Sequence, residues 1–365
     1  MKRKLTLAEL TSRLIEFKTI DGNRREFERC LHFIANYFKG VPGLYYNQYQ
    51  DHDYHSLVIT NRDTRHPEVM LSGHIDVIDA EDEQFSPSVK DNRLYGRGAL
   101  DMKSGVAAIM DVLKRAQLAG NAPSLGLMIT TDEELGGLHG ARYLVDEKGW
   151  RANFALMAEG QLTPVFVTRQ KGIAWVKVTA RGRSTHGAYP WLGDNAALKL
   201  MAGYRAMAEL FPEPRDDWIS TISLSSIKTA ATAHNQVPNF AEAVLDVRYT
   251  SDLAGSPDEI LTLLQAKAPD VELEIFVGSH VLDTDGGNGH VSALRDAAAR
   301  VTGRTLPFGF THGASDAMHF ARYGVATVEF GPQGANHHGE NEYVELKSLA
   351  QYHQIIDSWI TALPV

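Results

Sequence analysis

Acidic and histidine side chains recur at the ends of apolar runs in this chain, a placement suited to metal binding or proton transfer. The run VMLSGHID sets His74 and Asp76 just past an apolar segment, ITTDEELGG does so for Glu133 and Glu134, and ALMAEG for Glu159. Asp101 lies in the loop GRGALDMKSG, and His338 falls eight residues beyond the apolar run VATVEF. A charge at the end of a buried strand is costly unless it meets a partner or a cation. Histidines and carboxylates without thiolates suit Zn²⁺, or less selectively Co²⁺ or Mn²⁺. Singly, each residue has an ordinary alternative. His74 reads equally as a hydrogen-bonded loop histidine, Glu133–Glu134 as a solvated turn or helix cap, and Asp101 as part of a helix N-terminus near Ser104. Recurrence at successive strand ends weakens these readings without replacing them.

Elements must hold such residues in place. Helices are expected at 6–18 and 25–39, strands near 44–50, 55–61 and 67–74, and a helix at 104–119 opened by Ser104 and closed by Gly120. SLGLMITT reads as a buried strand, GLHGARYLVDEKG as a helix and NFALMAEG as a strand. This alternation points to an α/β fold with a mostly parallel sheet flanked by helices. In such sheets the C-terminal strand ends form the crevice where ligands bind. Around 165–181 the texture changes, because VFVTRQKGIAWVKVTARG alternates apolar and polar residues like strands with one solvated face. A helix at 195–211, strands ISLSSIKTA and FAEAVLDVRYT, a helix at 258–267 and the strand VELEIFVGS complete an α+β unit. The first texture then returns, with a helix at 291–302, a Gly-rich stretch around 309–316, the strand VATVEF and a helix at 346–362. The chain is read as a discontinuous domain, 1–172 and 284–365, with a second domain, 173–283, inserted in it.

Bulk properties narrow the class. A chain of 365 residues exceeds what one core comfortably supports, in keeping with two domains. With 44% hydrophobic and 22% charged residues it reads as soluble and globular, and no apolar run approaches the roughly 20 residues that span a bilayer. The net charge of −9, with Lys and Arg scattered, argues against nucleic acid as a partner. A single cysteine, Cys30, excludes an internal disulfide and a thiolate metal cluster. Within REFERCLHFIANYF it reads as a small buried hydrophobe rather than a nucleophile. The basic start Met1-Lys2-Arg3-Lys4 leads into the amphipathic LTLAELTSRLIEF with no cleavage site, as in the first helix of a cytoplasmic protein.

The order and wording of SGHIDV, GRGALDMKSG, TTDEELGG, MAEG and HHGENEYV strongly resemble the M20 metallopeptidase family over nearly the whole chain. That family includes deacylases, desuccinylases, aminoacylases and carboxypeptidases. The resemblance implies two Zn²⁺ ions, with Co²⁺ or Mn²⁺ as substitutes, bridged by Asp101. One ion would take His74 and Glu159, the other Glu134 and His338. Asp76 would accept a hydrogen bond from the His74 ring and fix it, and Glu133 would be the general base. The family's closing motif runs His, two residues, Asn or Asp, then Glu, which fits His338-Gly-Glu-Asn341-Glu342 and not His337. Two departures appear: Gly160 follows Glu159 where Pro is frequent, and Ala314 stands where the family has Thr.

The same resemblance extends to the insertion, expected to be a ferredoxin-like lid and dimerisation domain beside a zinc-hydrolase catalytic domain. GRSTHGAYPWLGDNA matches the segment whose histidine, here His186, reaches the partner subunit's active site to donate to a developing oxyanion. Asn235 and Arg248 match substrate-contacting positions, the Arg suited to clamp a carboxylate, with an exposed salt bridge as its ordinary alternative. Gly313, Ala314 and Ser315 in THGASDAMHF would offer backbone N–H groups to a substrate carboxylate. The function implied is a dinuclear zinc hydrolase that cleaves the amide of an N-acyl amino acid or small peptide, active as a homodimer. In the family, Glu at the position of Glu159 accompanies deacylases and carboxypeptidases rather than aminopeptidases. An aminopeptidase or dipeptidase, or a non-catalytic binding protein on the same scaffold, are the alternatives. No HExxH motif occurs, so a one-metal peptidase of that kind is excluded.

Overall fold

Strands that are apolar at most positions on both faces demand cover on both sides, and three of them line up side by side here. Val69–His74, Leu125–Thr130 and Phe154–Met157 are buried along their whole length and pair in parallel. The computed structural model describes residues 5–364, so the basic start Met1 to Lys4 lies outside the described residues. Two units are present: Met1–Thr168 with Thr284–Gly309 and Ser315–Val365, and Arg169–Asp283 with Phe310–Ala314.

In the first unit the sheet runs in the order Tyr45–Asp51, Tyr54–Thr60, Leu125–Thr130, Val69–His74, Phe154–Met157, Ala326–Glu329. The last four are parallel, and the first two join antiparallel as an edge hairpin. Beyond Ala326–Glu329, Val167 pairs antiparallel with Glu329. From Val69–His74 the chain crosses first to one neighbouring strand and then, from there, to the other. The strand order therefore reverses at Val69–His74, which puts a crevice at the C-terminal end of that strand. Helix Ser104–Ala119 lies on this strand and its neighbour, and packs with helices Leu7–Ile15 and Leu346–Ala362. Its burial from Ser104 through Leu113 matches its apolar sequence. It ends at Gly120, held in the left-handed region at φ 80°. Its start differs from expectation. Lys103 is the cap residue and makes no side-chain capping bond, because the turn Ala99–Lys103 runs straight into the helix and Lys103 N–H donates to Gly98 O at 2.9 Å.

The second unit is built from four antiparallel strands in the order Thr221–Thr229, Phe240–Tyr249, Gly172–Arg181, Glu272–Ser279. Helices Ala196–Ala208 and Pro257–Lys267 share a core with them, giving the ferredoxin-like β-α-β-β-α-β order. Alternate residues of Phe240–Tyr249 are buried, as the alternating sequence requires. The helices start at side-chain caps: Asn195 accepts from Ala197 and Leu198 N–H, and Ser256 from Glu259 N–H. The unit begins at Arg169 rather than at 173 and takes in Phe310–Ala314, which the sequence reading kept with the outer domain. Lys171 N–H donates to Thr311 O, His312 Nε2 lies 2.9 Å from Asp216, and the Phe310 ring packs on Trp218 at 5.5 Å. Those contacts hold the segment there.

Candidate metal centre

The parallel strands deliver their acidic and histidine residues to one edge. His74 is the last residue of Val69–His74, Glu133 and Glu134 open the turn Glu133–Leu135 just past Leu125–Thr130, and Glu159 lies two residues past Met157. Asp101 comes from the turn before helix Ser104–Ala119, and His338 from the loop ahead of strand Tyr343–Glu345.

Asp101 sits between two imidazoles. Its Oδ1 is 3.2 Å from His74 Nε2 and its Oδ2 is 3.2 Å from His338 Nε2. His74 Nε2 is also 3.8 Å from Glu159, and His338 Nε2 is 3.1 Å from Glu134. Two groups, His74–Asp101–Glu159 and Asp101–Glu134–His338, each bring one ligand atom per residue within 4.8 Å of the others, with Asp101 common to both. Glu133 is in neither group; its carboxylate lies 3.8 Å from His74 Nε2. His337 stands outside as well, packed edge-on against the His338 ring. His338 is held at φ 60°, a left-handed conformation uncommon for a residue with a side chain and typical of constrained functional positions.

Electrostatics mark the cluster as short of positive charge. Burial raises the Glu133 and Glu159 carboxyls well above their ordinary range, with neighbouring carboxylates adding to the shift. Hydrogen bonds to Asp101 and then Glu134 push the His338 imidazole up to about 10. Burial disfavours charge on His74, yet Asp76 and Asp101 hold its ring well above the usual value. Burial opposes ionisation of Asp101 too, but His338 and His74 keep its carboxyl low. Three carboxylates (Asp101, Glu134 and Glu159) and two imidazoles are a donor set that a pair of dications fits: nitrogen and oxygen ligands, one carboxylate able to bridge, and no thiolate.

The surrounding shell is specific. Asp76 departs from its expected part. His74 Nδ1 lies 3.0 Å from the backbone carbonyl of Asp76, with the carboxylate farther away at 3.4 Å, while Asp76 Oδ2 accepts the Glu134 N–H at 2.9 Å. The backbone carbonyl thus takes the ring hydrogen, and the carboxylate is turned to hold the Glu133–Glu134 turn. Sequence reasoning gave no role to Arg97 or Glu342. Glu342 is 1% exposed and accepts from Arg97 Nη1 at 2.7 Å and from the backbone N–H groups of Gly98, Leu100 and Asp101 at 2.9, 2.8 and 3.0 Å. It clamps the turn that presents Asp101, and the signal for it was the Glu that closes the NE pair in HHGENEYV. Asp316, also unassigned, is buried and accepts from Thr130 Oγ1 at 3.1 Å. Burial and then the Asp132 charge push its carboxyl up to about 7. Gly137 of DEELGG, at φ 65°, leaves it room, since a Cβ there would stand 2.1 Å from Asp316 Oδ1.

The residues assigned to substrate lie apart in the chain. In the second unit His186 pairs with Gln236 in a two-residue ladder. Its Nδ1 accepts the Ala188 N–H at 3.1 Å, and its Nε2 lies 3.1 Å from the side-chain Nδ2 of Asn235, an amide donor. Arg248 closes both prongs on Asp246, at 2.7 and 3.1 Å, the intramolecular salt bridge that was its ordinary alternative. Gly313 and Ala314 belong to this unit, and Gly313 N–H donates to Thr311 Oγ1 at 3.2 Å. Ser315 belongs to the first unit, where its hydroxyl donates to Glu329.

Comparison with known proteins agrees with this geometry. Residues 70–362 match the description of peptidase family M20/M25/M40. The chain is 30% identical over 322 residues to a succinyl-diaminopimelate desuccinylase of Acidiphilium cryptum, covering 83% of this chain and 86% of that one. A protein of the same name from Gluconobacter oxydans is 29% identical over 300 residues, 78% of each chain. Among solved structures, an aminopeptidase from Bacillus cereus superposes with a TM-score of 0.74 at 19% identity, over 97% of both chains. An M20 family metallo-carboxypeptidase from Sulfolobus solfataricus gives 0.72 at 15%, over 98% and 99%. At those identities the structures speak for the fold alone. With the family matched over most of its length, this chain belongs to peptidase family M20/M25/M40 and is a metal-dependent amidohydrolase.

Proposed function

We propose that the protein is a dinuclear zinc hydrolase that removes the acyl group of an N-acyl amino acid. His74, Asp101 and Glu159 would hold one ion, and Asp101, Glu134 and His338 the other. The observation that carries this reading is the position of Asp101, whose two oxygens face two different imidazoles, each with its own further carboxylate. A bound metal pair would lower the pKa of a shared water and polarise the scissile carbonyl. Glu133 would take the proton from the attacking water and pass it to the leaving amine. Its carboxylate, 3.8 Å from His74 Nε2 and outside both ligand groups, stands beside the proposed ions without being one of their ligands. Asp76 would keep Glu134 aimed through the backbone N–H it accepts.

His186 would be the donor to the developing oxyanion, supplied across a homodimer by the second unit acting as a lid. Asn235 would orient that ring. Arg248 would meet a substrate carboxylate only by exchanging it for Asp246, and Gly313, Ala314 and Ser315 would line the same end of the substrate. We place the enzyme in the cytoplasm; among the described residues no helix is long and apolar enough to cross a membrane.

The relatives named as desuccinylases put N-succinyl amino acids first in a substrate panel with N-acetyl amino acids and dipeptides. Zinc-loaded protein is expected to release free amine from an acylated substrate, and Glu133→Gln to abolish turnover while retaining metal. Turnover of dipeptides alone would shift the reading to a dipeptidase, and turnover of nothing with metal bound would refute hydrolysis.

A further inference from the structure

A third cluster of metal-ligating side chains lies at the edge hairpin, sharing no residue with the Asp101 cluster. Strands Tyr45–Asp51 and Tyr54–Thr60 are joined by His52 and Asp53. Asp51 Oδ1 is 3.2 Å from His52 Nδ1, and Asp51 Oδ2 is 2.8 Å from His139 Nδ1. One ligand atom from each of the three residues lies within 4.8 Å of the others, the same spacing found in the two groups around Asp101.

Neighbours orient these side chains. The Tyr54 ring stacks flat on His139, at 5.2 Å and 3°. His139 N–H donates to the buried carboxylate of Asp132 at 2.7 Å, which fixes the backbone beneath the ring. The His52 and His139 rings are 4.6 Å apart, close enough that two protonated rings would repel. His52 is at φ 50° in the turn, where a glycine or asparagine would be the easier choice. Its side chain is 72% exposed, so an ion could enter from solvent and water could complete its shell. The His139 ring holds the Asp51 carboxyl below its ordinary value, so it remains an anion across the neutral range.

We propose that Asp51, His52 and His139 form a separate binding site for a transition-metal dication of the Zn²⁺, Ni²⁺ or Cu²⁺ kind. Two imidazoles and one carboxylate are a donor set for these ions. Bonds of about 2.0–2.1 Å to zinc in a tetrahedron put neighbouring donors about 3.3 Å apart, a separation near the 3.2 and 2.8 Å that Asp51 keeps from the two imidazoles. Binding requires unprotonated ring nitrogens, so protons compete with the ion. Occupancy would tie the hairpin turn to the segment that follows the Glu133–Glu134 turn, so zinc would raise the melting temperature through this site.

The test is zinc binding by the full-length protein and by His139→Ala and His52→Asn, each checked for native circular dichroism. The wild type is expected to bind one more Zn²⁺ per chain than His139→Ala. His52→Asn, which keeps a residue suited to the turn, should weaken that extra site by roughly tenfold or more. The zinc-induced rise in melting temperature should shrink in both variants. Because a difference is counted, the result does not depend on how many ions the Asp101 cluster takes. Equal zinc binding by the wild type and either folded variant would overturn the proposal and leave the trio as a hydrogen-bonded turn.

Discussion

Replacing Glu342 should damage the site without touching any proposed metal ligand. Its carboxylate receives four hydrogen bonds, two on each oxygen, in a setting where Glu342 is 1% and Arg97 3% exposed. Glu342→Ala would leave a guanidinium and three backbone N–H groups buried without that acceptor, and breaking a buried ion pair this way costs about 3–5 kcal/mol. Glu342→Gln keeps the shape, but its NH₂ would face donors on one side. It should lose two charge-assisted bonds and about 3 kcal/mol at the lower end of their range. Because Leu100 and Asp101 N–H share Oε1, the same change would free the turn that aims Asp101 at both imidazoles. The assays are denaturant unfolding, metal content after dialysis, and hydrolysis of the best acylated substrate. A double-mutant cycle with Arg97→Met would isolate the pair. Glu342→Gln with wild-type stability and unchanged metal retention would refute the reasoning, whatever its activity.

Three further outcomes follow from the packing. Gly105→Ala would put a Cβ 1.9 Å from Ala158 O, next to Glu159, so it should destabilise by about 1–3 kcal/mol despite the better helix former and lower turnover; a variant as stable as the wild type would contradict this. Burial pushes the Cys30 thiol up to about 12, so it should resist a disulfide reagent near pH 8 and react fully once the chain is unfolded; stoichiometric reaction of the native protein would be the contrary result. Burial lowers the His319 ring to about 4 from 6.5, its Nε2 lying 3.3 Å from Gly136 O. The unfolded chain therefore binds the proton more tightly, and the stability from this ring is complete above about pH 6.5 and lost as pH falls toward 4. Against His319→Gln, the wild type should lose about 3 kcal/mol of relative stability over that interval in denaturation curves, Asp132 and Asp316 being common to both proteins. A difference that stays flat with pH would contradict the burial argument.

The parallel strands were legible in the sequence because each is largely apolar and has a histidine or acidic residue at or just past its end. For the same reason His74, Glu134 and Glu159 could be grouped before any coordinates were known. The alternation in FAEAVLDVRYT likewise gave the antiparallel sheet of the second unit. Asp246 and Arg248, two apart on that strand, project from the same face and pair, the salt bridge that stood as the ordinary alternative for Arg248. Ser88–Lys90, Arg93–Tyr95 and Tyr343–Glu345, which with Gly334–Ala335 form a small four-stranded sheet beside the Asp101 turn, are three residues each and too short to show a period. The clamp by Glu342 depends on which loops meet, and local pattern carries no information about that. The part of Asp76 turned on which of its oxygens faced the ring, a matter of about half an ångström.

Asp101 and the residue that fixes its backbone are 241 positions apart. At synthesis rates of roughly 5–20 residues per second, that separation corresponds to about 10–50 s between the appearance of the two. For most of that interval, once Glu159 has been made, the growing chain carries His74, Asp101, Glu134 and Glu159, while Glu342 and His338 have yet to be made. An ion captured early would meet four of the five proposed ligands on a loop not yet clamped. Completion of the site is therefore timed by the last tenth of the chain.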